Sequence, residues 1–479
     1  MMKKRIFWIG IAAGLLAAIA LFLLLRGRDA PPDWVAWKEG ALSASPWEIQ
    51  LENQHISAVW NGEISWQPEE ETLVQDALLC DINHDGAQEL LLLTWRKERY
   101  GDSRPFWEEE EEAAWSQHID IYAVGAGTVQ PLWMASDIGM EVVSWQFDPE
   151  ARLLITDRSG NVTAWDWLTW GLTAIALPKT SFTMAALGDL LIHQQIYDYY
   201  LRREDGCFDG MFADVLEKLS TFDVTAIQQE TIYVNSPGEY SSYPVFGTPL
   251  EVGEAVVKAG FDVVSCAGNH ALDKGTDAID LTASFYRDAG IVCAGIQPVA
   301  DGALRPYEIL EVNGIRCAIF SLTQTTNGHA LPEDAPYVLH TLDDPEAVQQ
   351  AIAAGEADAD CSIVFVHWGT EYASEPDEAQ RLWAQRFADW GVEVVVGTHP
   401  HVLQPVEWVT GVDGHETLVY YSLGNFISAQ TEEACRLGGM AWFTITKQGQ
   451  NCTISDHGLN KVQTREENGR YSTAMATDP

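Results

Sequence analysis

The sequence predicts a chain of three parts: a transmembrane helix, an all-β domain and an α/β domain. The first part is indicated by an uninterrupted apolar run at residues 6–25. The second is indicated by 13 of the 19 tryptophans, which fall within residues 34–179 among short alternating runs. The third is indicated by the alternation of strand-like and helix-like segments that begins at Phe182. A chain of 479 residues is long enough for two or three domains.

The apolar run has the length of a helix that spans a bilayer. Its 20 residues, at a rise of about 1.5 Å each, match a hydrocarbon core of about 30 Å. Basic residues precede the run at Lys3, Lys4 and Arg5, and no Ala-x-Ala pattern follows it, which favours an uncleaved signal-anchor over a removed signal peptide. We therefore assign residues 1–28 to a basic tip and anchor, and residues 29–33 to a linker. We expect a single-pass protein of the cell membrane with most of the chain extracytoplasmic.

The charge balance excludes one class of partner. Lys and Arg number 28 and Asp and Glu number 70, which gives a formal net charge of −42 at pH 7. A surface this acidic repels a phosphate backbone, so we expect no nucleic acid partner. The eight cysteines have no CxxC spacing and several lie in apolar runs, which favours buried free thiols over a disulfide framework.

Residues 34–179 are predicted to form the all-β domain. His55–Trp60 and Glu63–Trp66 are alternating runs separated by Asn61 and Gly62, a dipeptide typical of tight hairpins. Strand–turn–strand units that end in tryptophan are typical of β-propeller blades, so the domain is predicted to be propeller-like. Because too few units are present to close a ring, an open stack or a sandwich is an equal alternative.

One loop of this domain places oxygen-bearing side chains on alternate residues, at Asp81, Asn83 and Asp85, followed by Gly86 and Glu89. Ca²⁺ takes about six to eight oxygen ligands, and such a loop supplies several. The pattern resembles the calcium loops of FG-GAP-type propeller repeats, whereas an EF-hand needs its glutamate three residues later. The alternative is an Asx-rich turn that holds no ion.

Residues 180–457 are predicted to form one α/β domain, with residues 458–479 as a C-terminal tail. Buried strands are indicated by apolar runs such as residues 361–366. Helices are indicated between them, for example at residues 249–259, where apolar residues share one face and Gly260 ends the pattern.

Polar side chains directly follow five of these predicted strands: Asp189, Glu230, Asn269 and His270, His367, and His399 and His401. In open α/β sheets, ligands bind at the carboxyl ends of the strands, so we expect these ends to converge on one crevice. Imidazole is a common ligand of transition metals, and two histidines one residue apart can direct ring nitrogens to one centre. Each residue alone has an ordinary structural explanation, such as a helix cap for Asp189. Together they predict a metal site.

The residues around these positions form six motifs: Gly188-Asp189, Glu230-Thr231, Ala267-Gly-Asn-His-Ala-Leu-Asp-Lys-Gly275, His367-Trp-Gly-Thr-Glu-Tyr372, Gly397-Thr-His-Pro-His-Val-Leu-Gln404 and Tyr421-Ser-Leu-Gly-Asn-Phe-Ile427. In order and combination they resemble the CapA, or poly-γ-glutamate capsule-synthesis, family, whose domain belongs with the calcineurin-like metallophosphoesterases. The resemblance spans about residues 182–427 and does not cover the Trp-rich region. It implies a four-layer α/β sandwich of two mixed sheets with helices outside.

The resemblance implies two metal positions, one held by Asp189 and His401, the other by Asn269, His367 and His399. Glu230 stands where the superfamily has a bridging carboxylate. His270 stands where an acid or charge stabiliser faces the leaving group, so it and Asp189 are the catalytic candidates. Two cations about 3.5–4 Å apart activate water near neutral pH and neutralise charge on a phosphoryl oxygen. Mixed nitrogen and oxygen ligands suit Mn²⁺, Fe or Zn²⁺.

The other polar and aromatic residues of the motifs are expected to line the substrate cleft: Asp273, Trp368, Glu371, Tyr372, Gln404 and Asn425. Two departures from the family pattern weaken the metal position of Asp189. Leu191 occupies the place of a histidine, with His193 two residues late, and Gln228 stands where asparagine is common. Occupancy by one metal, or by none, is therefore an alternative to two.

The leading hypothesis is a membrane-anchored, extracytoplasmic, metal-dependent phosphoesterase-type hydrolase. It is expected to act in the synthesis or export of an anionic polymer such as poly-γ-glutamate, with membrane-embedded polymer synthase subunits as partners. One alternative is a non-catalytic subunit that binds the polymer or assembles with membrane partners. Another is a metal-dependent hydrolase of γ-glutamyl amide bonds.

Overall fold

The computed structural model describes residues 30–44, 47–69, 71–97, 114–135, 138–148, 150–169, 171–449 and 451–476. These residues form two compact units, divided between Pro178 and Lys179. The segment predicted as a membrane anchor, residues 6–25, lies outside the described residues. Within the described ranges, no helix has the length and apolar character needed to cross a bilayer.

The described part of the first unit consists of the strands β1 (Gly40–Ala44), β2 (Trp47–Glu52), β3 (His55–Trp60), β4 (Glu63–Trp66), β5 (Leu73–Cys80), β6 (Glu89–Arg96), β7 (Ser116–Val124), β8 (Val129–Met134), β9 (Val142–Phe147), β10 (Leu153–Asp157), β11 (Val162–Leu168) and β12 (Gly171–Ile175). They form three antiparallel sheets of four strands each, in chain order. Asn61 and Gly62 turn between β3 and β4 with φ of 53° and 86°, the positive angles that tight hairpins need. The prediction of an all-β region is confirmed.

The three sheets stack face to face, because the middle sheet is apolar on both sides. Successive side chains of a strand point to opposite faces. Leu90 and Leu92 of β6 accordingly pack against the first sheet, whereas Leu91 and Leu93 pack against the third. The described residues thus form an open stack of sheets, and a closed propeller is not shown.

The second unit contains sixteen further strands in its described residues: β13 (Lys179–Leu190), β14 (Val224–Gln229), β15 (Tyr233–Val234), β16 (Thr248–Pro249), β17 (Val263–Ser265), β18 (Val292–Ala294), β19 (Glu308–Val312), β20 (Ile315–Thr323), β21 (Cys361–His367), β22 (Val394–Thr398), β23 (Val406–Thr410), β24 (Glu416–Tyr420), β25 (Asn425–Ile427), β26 (Leu437–Gln448), β27 (Asn451–Glu467) and β28 (Arg470–Met475). One large sheet has the order β18-β17-β14-β13-β26-β27-β28, with β25 also paired to β13, and the other large sheet has the order β19-β20-β21-β22-β24-β23, while β15 and β16 form a separate pair. Both sheets combine parallel and antiparallel pairs, so the prediction of two mixed sheets is confirmed.

The helices of this unit are α1 (Gln194–Arg203), α2 (Leu216–Leu219), α3 (Glu251–Ala259), α4 (Gly275–Asp288), α5 (Pro345–Asp358) and α6 (Glu378–Asp389). One apolar cluster fills the space between the two sheets. A second joins α1 to α4 to the outer face of the larger sheet, and a third joins α5 and α6 to the smaller sheet. The layers are therefore helix, sheet, sheet and helix.

The end of the chain differs from the sequence prediction. Residues 458–479 were expected to form a tail, but β27 and β28 continue the larger sheet to Met475. Outward-facing side chains along β27 are polar, so the sequence lacks the apolar run by which a buried strand is recognised. Backbone pairing with β26 holds this segment in the sheet.

Candidate metal centre

The predicted ligands come from strand ends of both sheets of the second unit: Asp189 in β13, Glu230 after β14, Asn269 after β17, His367 at the end of β21, and His399 and His401 after β22. All six side chains are buried, with at most 6% of their surface exposed. Buried polar groups need partners, so the contacts among these residues decide what the site can hold.

Two glycines let the strands that carry these ligands approach one another. A Cβ atom on Gly188 would overlap the carbonyl group of Gly424, and one on Gly397 would overlap the carbonyl group of Tyr421. Neither position therefore has room for a side chain. The glycines that precede Asp189 and His399 are required by packing as well as by the motif.

We expect Gly397→Ala to destabilise the second unit by about 2–3 kcal/mol, because overpacking against backbone cannot be relieved by a rotamer change. Urea unfolding of the variant measures the loss. Gly238→Ala is the matched control, since the atom nearest to its Cβ would be Ser236 Oγ at 3.8 Å, and it should change stability by less than about 0.5 kcal/mol. Equal stability of the two variants would contradict this packing account.

The ligand atoms form two groups that share one carboxylate. Atoms of Glu230, His367 and His399 all lie within 4.8 Å of one another, and so do atoms of Asp189, Glu230 and His401. Glu230 Oε1 is 3.9 Å from His367 Nε2 and 3.8 Å from His401 Nε2. Ligand atoms that each lie about 2.1 Å from one cation are separated by about 3–4 Å. The geometry therefore suits two cations on either side of Glu230.

Three carboxylate oxygens in these groups have no hydrogen-bond partner. They are Oδ1 of Asp189 and both oxygens of Glu230, and all three are buried. An ionised carboxylate that is buried without a partner costs several kcal/mol. Divalent cations satisfy such oxygens, so the donor set fits a metal. Its nitrogen and oxygen atoms suit Mn²⁺, Fe or Zn²⁺ alike.

Asn269 adds a ligand atom to the group that contains His367 and His399. Its Oδ1 lies 3.0 Å from His367 Nε2, which is 3.1 Å from His399 Nδ1. His367 Nε2 is therefore close to both of the other two atoms. On the other side of the ring, His367 Nδ1 lies 3.0 Å from Thr398 Oγ1, a contact that fixes the orientation of the imidazole.

Asn425 orients His401 in the other group. Its Oδ1 lies 3.1 Å from His401 Nδ1. Its Nδ2 donates to Gln430 Oε1 at 2.7 Å and to the carbonyl of Cys435 at 2.9 Å, so the amide oxygen must face His401. Asn425 was predicted to line the substrate cleft, but it is fully buried and supports a ligand instead.

Both histidines of the β22 loop have an unfavourable backbone conformation. The φ angles of His399 and His401 are 97° and 62°, a region that costs a residue with a side chain about 1–3 kcal/mol. The N–H of His399 donates to Asp189 Oδ2 at 3.3 Å. The N–H of Tyr372 donates to the carbonyl of Pro400 at 2.8 Å. These contacts hold both rings toward the centre at the expense of local stability.

The three histidines of the centre differ in the direction in which their pKa is shifted. Burial, together with neighbouring His401, lowers the pKa of His399 to about 4. Burial also lowers the pKa of His367 well below its usual range. Burial opposes the charge on His401 as well, but the carboxylates of Glu230 and Asp189 outweigh it and raise its pKa to about 9. Burial raises the pKa of Glu230 well above its usual range.

The two groups should therefore differ in their response to pH. At pH 7, His367 and His399 are neutral and ready to bind, whereas His401 carries a proton that a cation must displace. We expect Mn²⁺ binding at pH 7 to release about one proton from His401, and the release from this residue to fall progressively as the pH rises through 9. Calorimetry in buffers of different ionisation enthalpy measures the release.

The same pKa shift predicts a stability effect in the metal-free protein. Because the pKa of His401 is raised from 6.5 to about 9, its contribution to stability is complete below pH 6.5 and is lost as the pH rises through 9. The His401→Gln variant should lack the part of the proton release that comes from His401, and it should not show this loss of stability. Equal release at pH 7 and pH 9.5 would contradict the assignment.

His270 and Asp273 form a hydrogen-bonded pair beside the metal groups. His270 Nδ1 lies 2.7 Å from Asp273 Oδ2, which also accepts from the N–H of Phe246 at 2.6 Å. A carboxylate on Nδ1 holds the hydrogen there and leaves Nε2 to exchange a proton with a substrate. Asp273 was predicted to line the cleft, and its buried carboxylate contacts His270 instead.

Of the remaining residues predicted for the cleft, two are exposed and two are buried. Glu371 and Tyr372 are exposed, and the ring centroid of Tyr372 is 6.0 Å from that of His401. Trp368 is fully buried in the core beneath the smaller sheet, where its Nε1 donates to the carbonyl of Tyr421 at 2.9 Å. Gln404 is also buried, and its amide donates to the carbonyl of Ala373 at 2.9 Å. These two buried side chains hydrogen bond to the backbone and do not line the cleft.

The departures from the family pattern have structural explanations. Leu191 is buried and has no atom that binds a metal, so the group with Asp189 and His401 gains no ligand from this position. His193 belongs to neither group, and burial lowers its pKa to about 4. Gln228 accepts from Ser265 Oγ at 2.5 Å and donates to the carbonyl of Ala267 at 3.3 Å, which links two strands. The group with Asp189 and His401 is therefore the one with fewer ligands.

The loop predicted to bind calcium is held by its own hydrogen bonds. Asp81 accepts from the N–H groups of Asp85 and Gly86 at 3.0 and 2.9 Å. The amide of Asn83 donates to Asp85 and Glu89 at 3.1 and 3.2 Å. Among the residues that the structure describes, these side chains are not one of the groups whose ligand atoms all lie within 4.8 Å of one another. The calcium site stays a prediction.

Comparison with known proteins gives a match over the same region. The family described as "Bacterial capsule synthesis protein PGA_cap" matches residues 183–430, slightly more than half of the chain. The chain is similar to the PGA biosynthesis protein CapA of Bacillus subtilis, with 32% identity over 40% of this chain and 48% of that protein. It is similar to the capsule biosynthesis protein CapA of Bacillus anthracis, with 30% identity over 38% of this chain and 43% of that protein. The chain thus spans about half the length of these relatives.

A solved structure is also similar, the calcineurin-like phosphoesterase YfkN from Bacillus subtilis. The match has a TM-score of 0.32 and 13% identity, and it covers 59% of this chain and 91% of that one. Because this score is low, nothing about activity follows from it.

Proposed function

Because this chain belongs to the PGA_cap family of bacterial capsule synthesis proteins, we propose that it acts in the synthesis or export of an anionic capsule polymer such as poly-γ-glutamate. We further propose that it does so as a metal-dependent hydrolase of phosphoester bonds. The observation that carries the second proposal is the position of Glu230, whose unpaired oxygens are shared by two ligand groups.

When bound, divalent cations supply an activated water and neutralise charge on a phosphoryl oxygen. The residues of the chain have two roles, which are to hold these cations and to transfer a proton. Glu230 and Asp189 would hold the cations by charge, and the neutral rings of His367 and His399 would supply nitrogen ligands. His270 donates a proton from Nε2 to the departing oxygen, while Asp273 keeps the ring in the required orientation.

The location and partners form a further part of the proposal. The apolar run at residues 6–25 supports a membrane anchor, with the acidic bulk of the chain on the outer side. Membrane-embedded polymer synthase subunits are the proposed partners. A net charge of −42 disfavours direct contact with a polyanion, so an anionic substrate would be held through the cations at the centre.

The test is an assay of the full chain, purified in detergent, with Mn²⁺ and with phosphomonoester and phosphodiester substrates. We expect phosphoester hydrolysis that is lost on chelation and in the His401→Ala variant. Poly-γ-glutamate is incubated in parallel and its chain length measured. Shortening of the polymer without phosphoester hydrolysis would favour an amide hydrolase. Absence of both activities in a metal-loaded sample would contradict the enzyme proposal and favour a non-catalytic subunit.

A further inference from the structure

A loop outside the six motifs reaches the metal ligands. It follows β20, whose last residue, Thr323, is paired with His367 in the smaller sheet. The N–H of Gln324 donates to the carbonyl of His367 at 2.9 Å. The loop therefore starts beside a ligand, although none of its residues belongs to the six motifs.

The loop closes in a tight turn that presents Asn327. The N–H of His329 donates to the carbonyl of Thr326 at 3.0 Å, and Thr326 Oγ1 donates to the carbonyl of His329 at 2.6 Å. Asn327 and Gly328 have φ of 53° and 80°, angles that asparagine and glycine adopt most readily. The Asn-Gly pair thus gives this loop one defined shape and directs the Asn327 side chain.

The side chain of Asn327 contacts Asn269. Asn327 Oδ1 accepts a hydrogen bond from Asn269 Nδ2 at 3.4 Å, while Asn269 Oδ1 lies 3.0 Å from His367 Nε2 on the other side. A carboxamide has one oxygen and one nitrogen end, and only the oxygen binds a cation. Whatever holds the nitrogen end of Asn269 therefore decides whether its oxygen faces the centre.

A second contact of Asn327 does not compete for this role. Asn327 Nδ2 lies 3.3 Å from His270 Nδ1, but that ring nitrogen is closer to Asp273 Oδ2, at 2.7 Å. A nitrogen whose hydrogen is donated to a carboxylate has no lone pair to offer to an amide. The contact with His270 is therefore one of packing.

We propose that Asn327 is a positioning residue of the metal centre, which turns the carbonyl oxygen of Asn269 toward the cation by accepting a hydrogen bond from its amide nitrogen. This inference rests on the proposed function, because it requires that the site binds metal. Partners of ligating residues orient them, and their loss typically lowers metal affinity about 10- to 100-fold.

The experiment compares Mn²⁺ affinity, measured by calorimetry on the full chain, among variants at this turn. Asn327→Gly removes the side chain and tolerates the positive φ, so we expect affinity to fall about 10- to 100-fold. Asn327→Asp keeps an acceptor oxygen and also tolerates this φ, so its affinity should stay within about threefold of the unaltered chain.

The matched control is Asn468→Gly in the turn between β27 and β28. Asn468 and Gly469 have φ of 54° and 83°, so the same substitution is made in the same kind of turn. We expect no change in Mn²⁺ affinity there, and thermal unfolding of all variants shows that each is folded.

Two outcomes would overturn the inference alone: an affinity of Asn327→Gly within about twofold of the unaltered chain, or an Asn327→Asp variant as weak as Asn327→Gly. If the unaltered chain binds no Mn²⁺, the proposed metal centre fails and this inference falls with it. The measurement on the unaltered chain therefore separates the two failures.

Discussion

Replacing Glu230 by glutamine is expected to reduce the number of bound cations from two to at most one and to lower hydrolytic activity by about 10²–10³-fold or more, since metal activation is worth several kcal/mol. An amide keeps the size of the side chain but loses the charge, and only one of its two end atoms can bind a cation. Because both oxygens of Glu230 lack hydrogen-bond partners, the metal-free variant should be no less stable than the metal-free unaltered chain at a pH well above 9, where His401 has lost the proton that the Glu230 carboxylate stabilises.

Metal content per chain, hydrolysis rate and thermal unfolding of the chelated protein together test this expectation. Glu393→Gln is the matched control: Glu393 is also buried, and burial raises its pKa well above the usual range. Its carboxylate accepts from the N–H of Ser362 at 2.7 Å and belongs to neither ligand group. Two bound cations in Glu230→Gln would contradict the shared position of this residue.

Replacing His270 by alanine is expected to lower kcat by about 10²–10⁴-fold, the usual effect of losing a general acid. The metal content should not change, because His270 is in neither ligand group. The loss should be larger for an alkyl phosphate than for a p-nitrophenyl phosphate, since a good leaving group needs less help from an acid. Asp273→Asn should show a smaller loss with the same dependence on the leaving group.

Two measurements distinguish this role from a structural one. The first is kcat for both leaving groups, and the second is bound Mn²⁺ in each variant. A loss of equal size for both substrates would show that His270 does not protonate the leaving oxygen. A loss of bound Mn²⁺ in His270→Ala would indicate that His270 is itself a metal ligand.

The order of the all-β and α/β units and the meeting of the six candidate ligands were predictable from the sequence for one physical reason. Buried strands appear as apolar runs, and the polar residue that ends each run must lie at the edge of the sheet. The runs before Glu230, His367 and His399 are of this kind. The all-β unit was recognisable from alternation and from turns such as Asn61-Gly62.

Side-chain direction could not be predicted in the same way. Trp368 and Gln404 share motifs with ligands, yet both side chains are buried and hydrogen bond to backbone carbonyls. Membership of a motif does not report which face of a turn a residue occupies. Asn327 was missed because its loop has neither an apolar run nor ligand spacing. Its only local signal is an Asn-Gly turn after a strand that neighbours the strand of His367.

The most direct test of the shared position of Glu230 is a crystal structure of the protein from crystals grown with Mn²⁺. Anomalous scattering is measured near the X-ray absorption edge of manganese. We expect two peaks, one contacting Asp189 and His401 and the other Asn269, His367 and His399, with Glu230 contacting both. A single peak that does not touch Glu230, or no peak at this centre, would contradict the account.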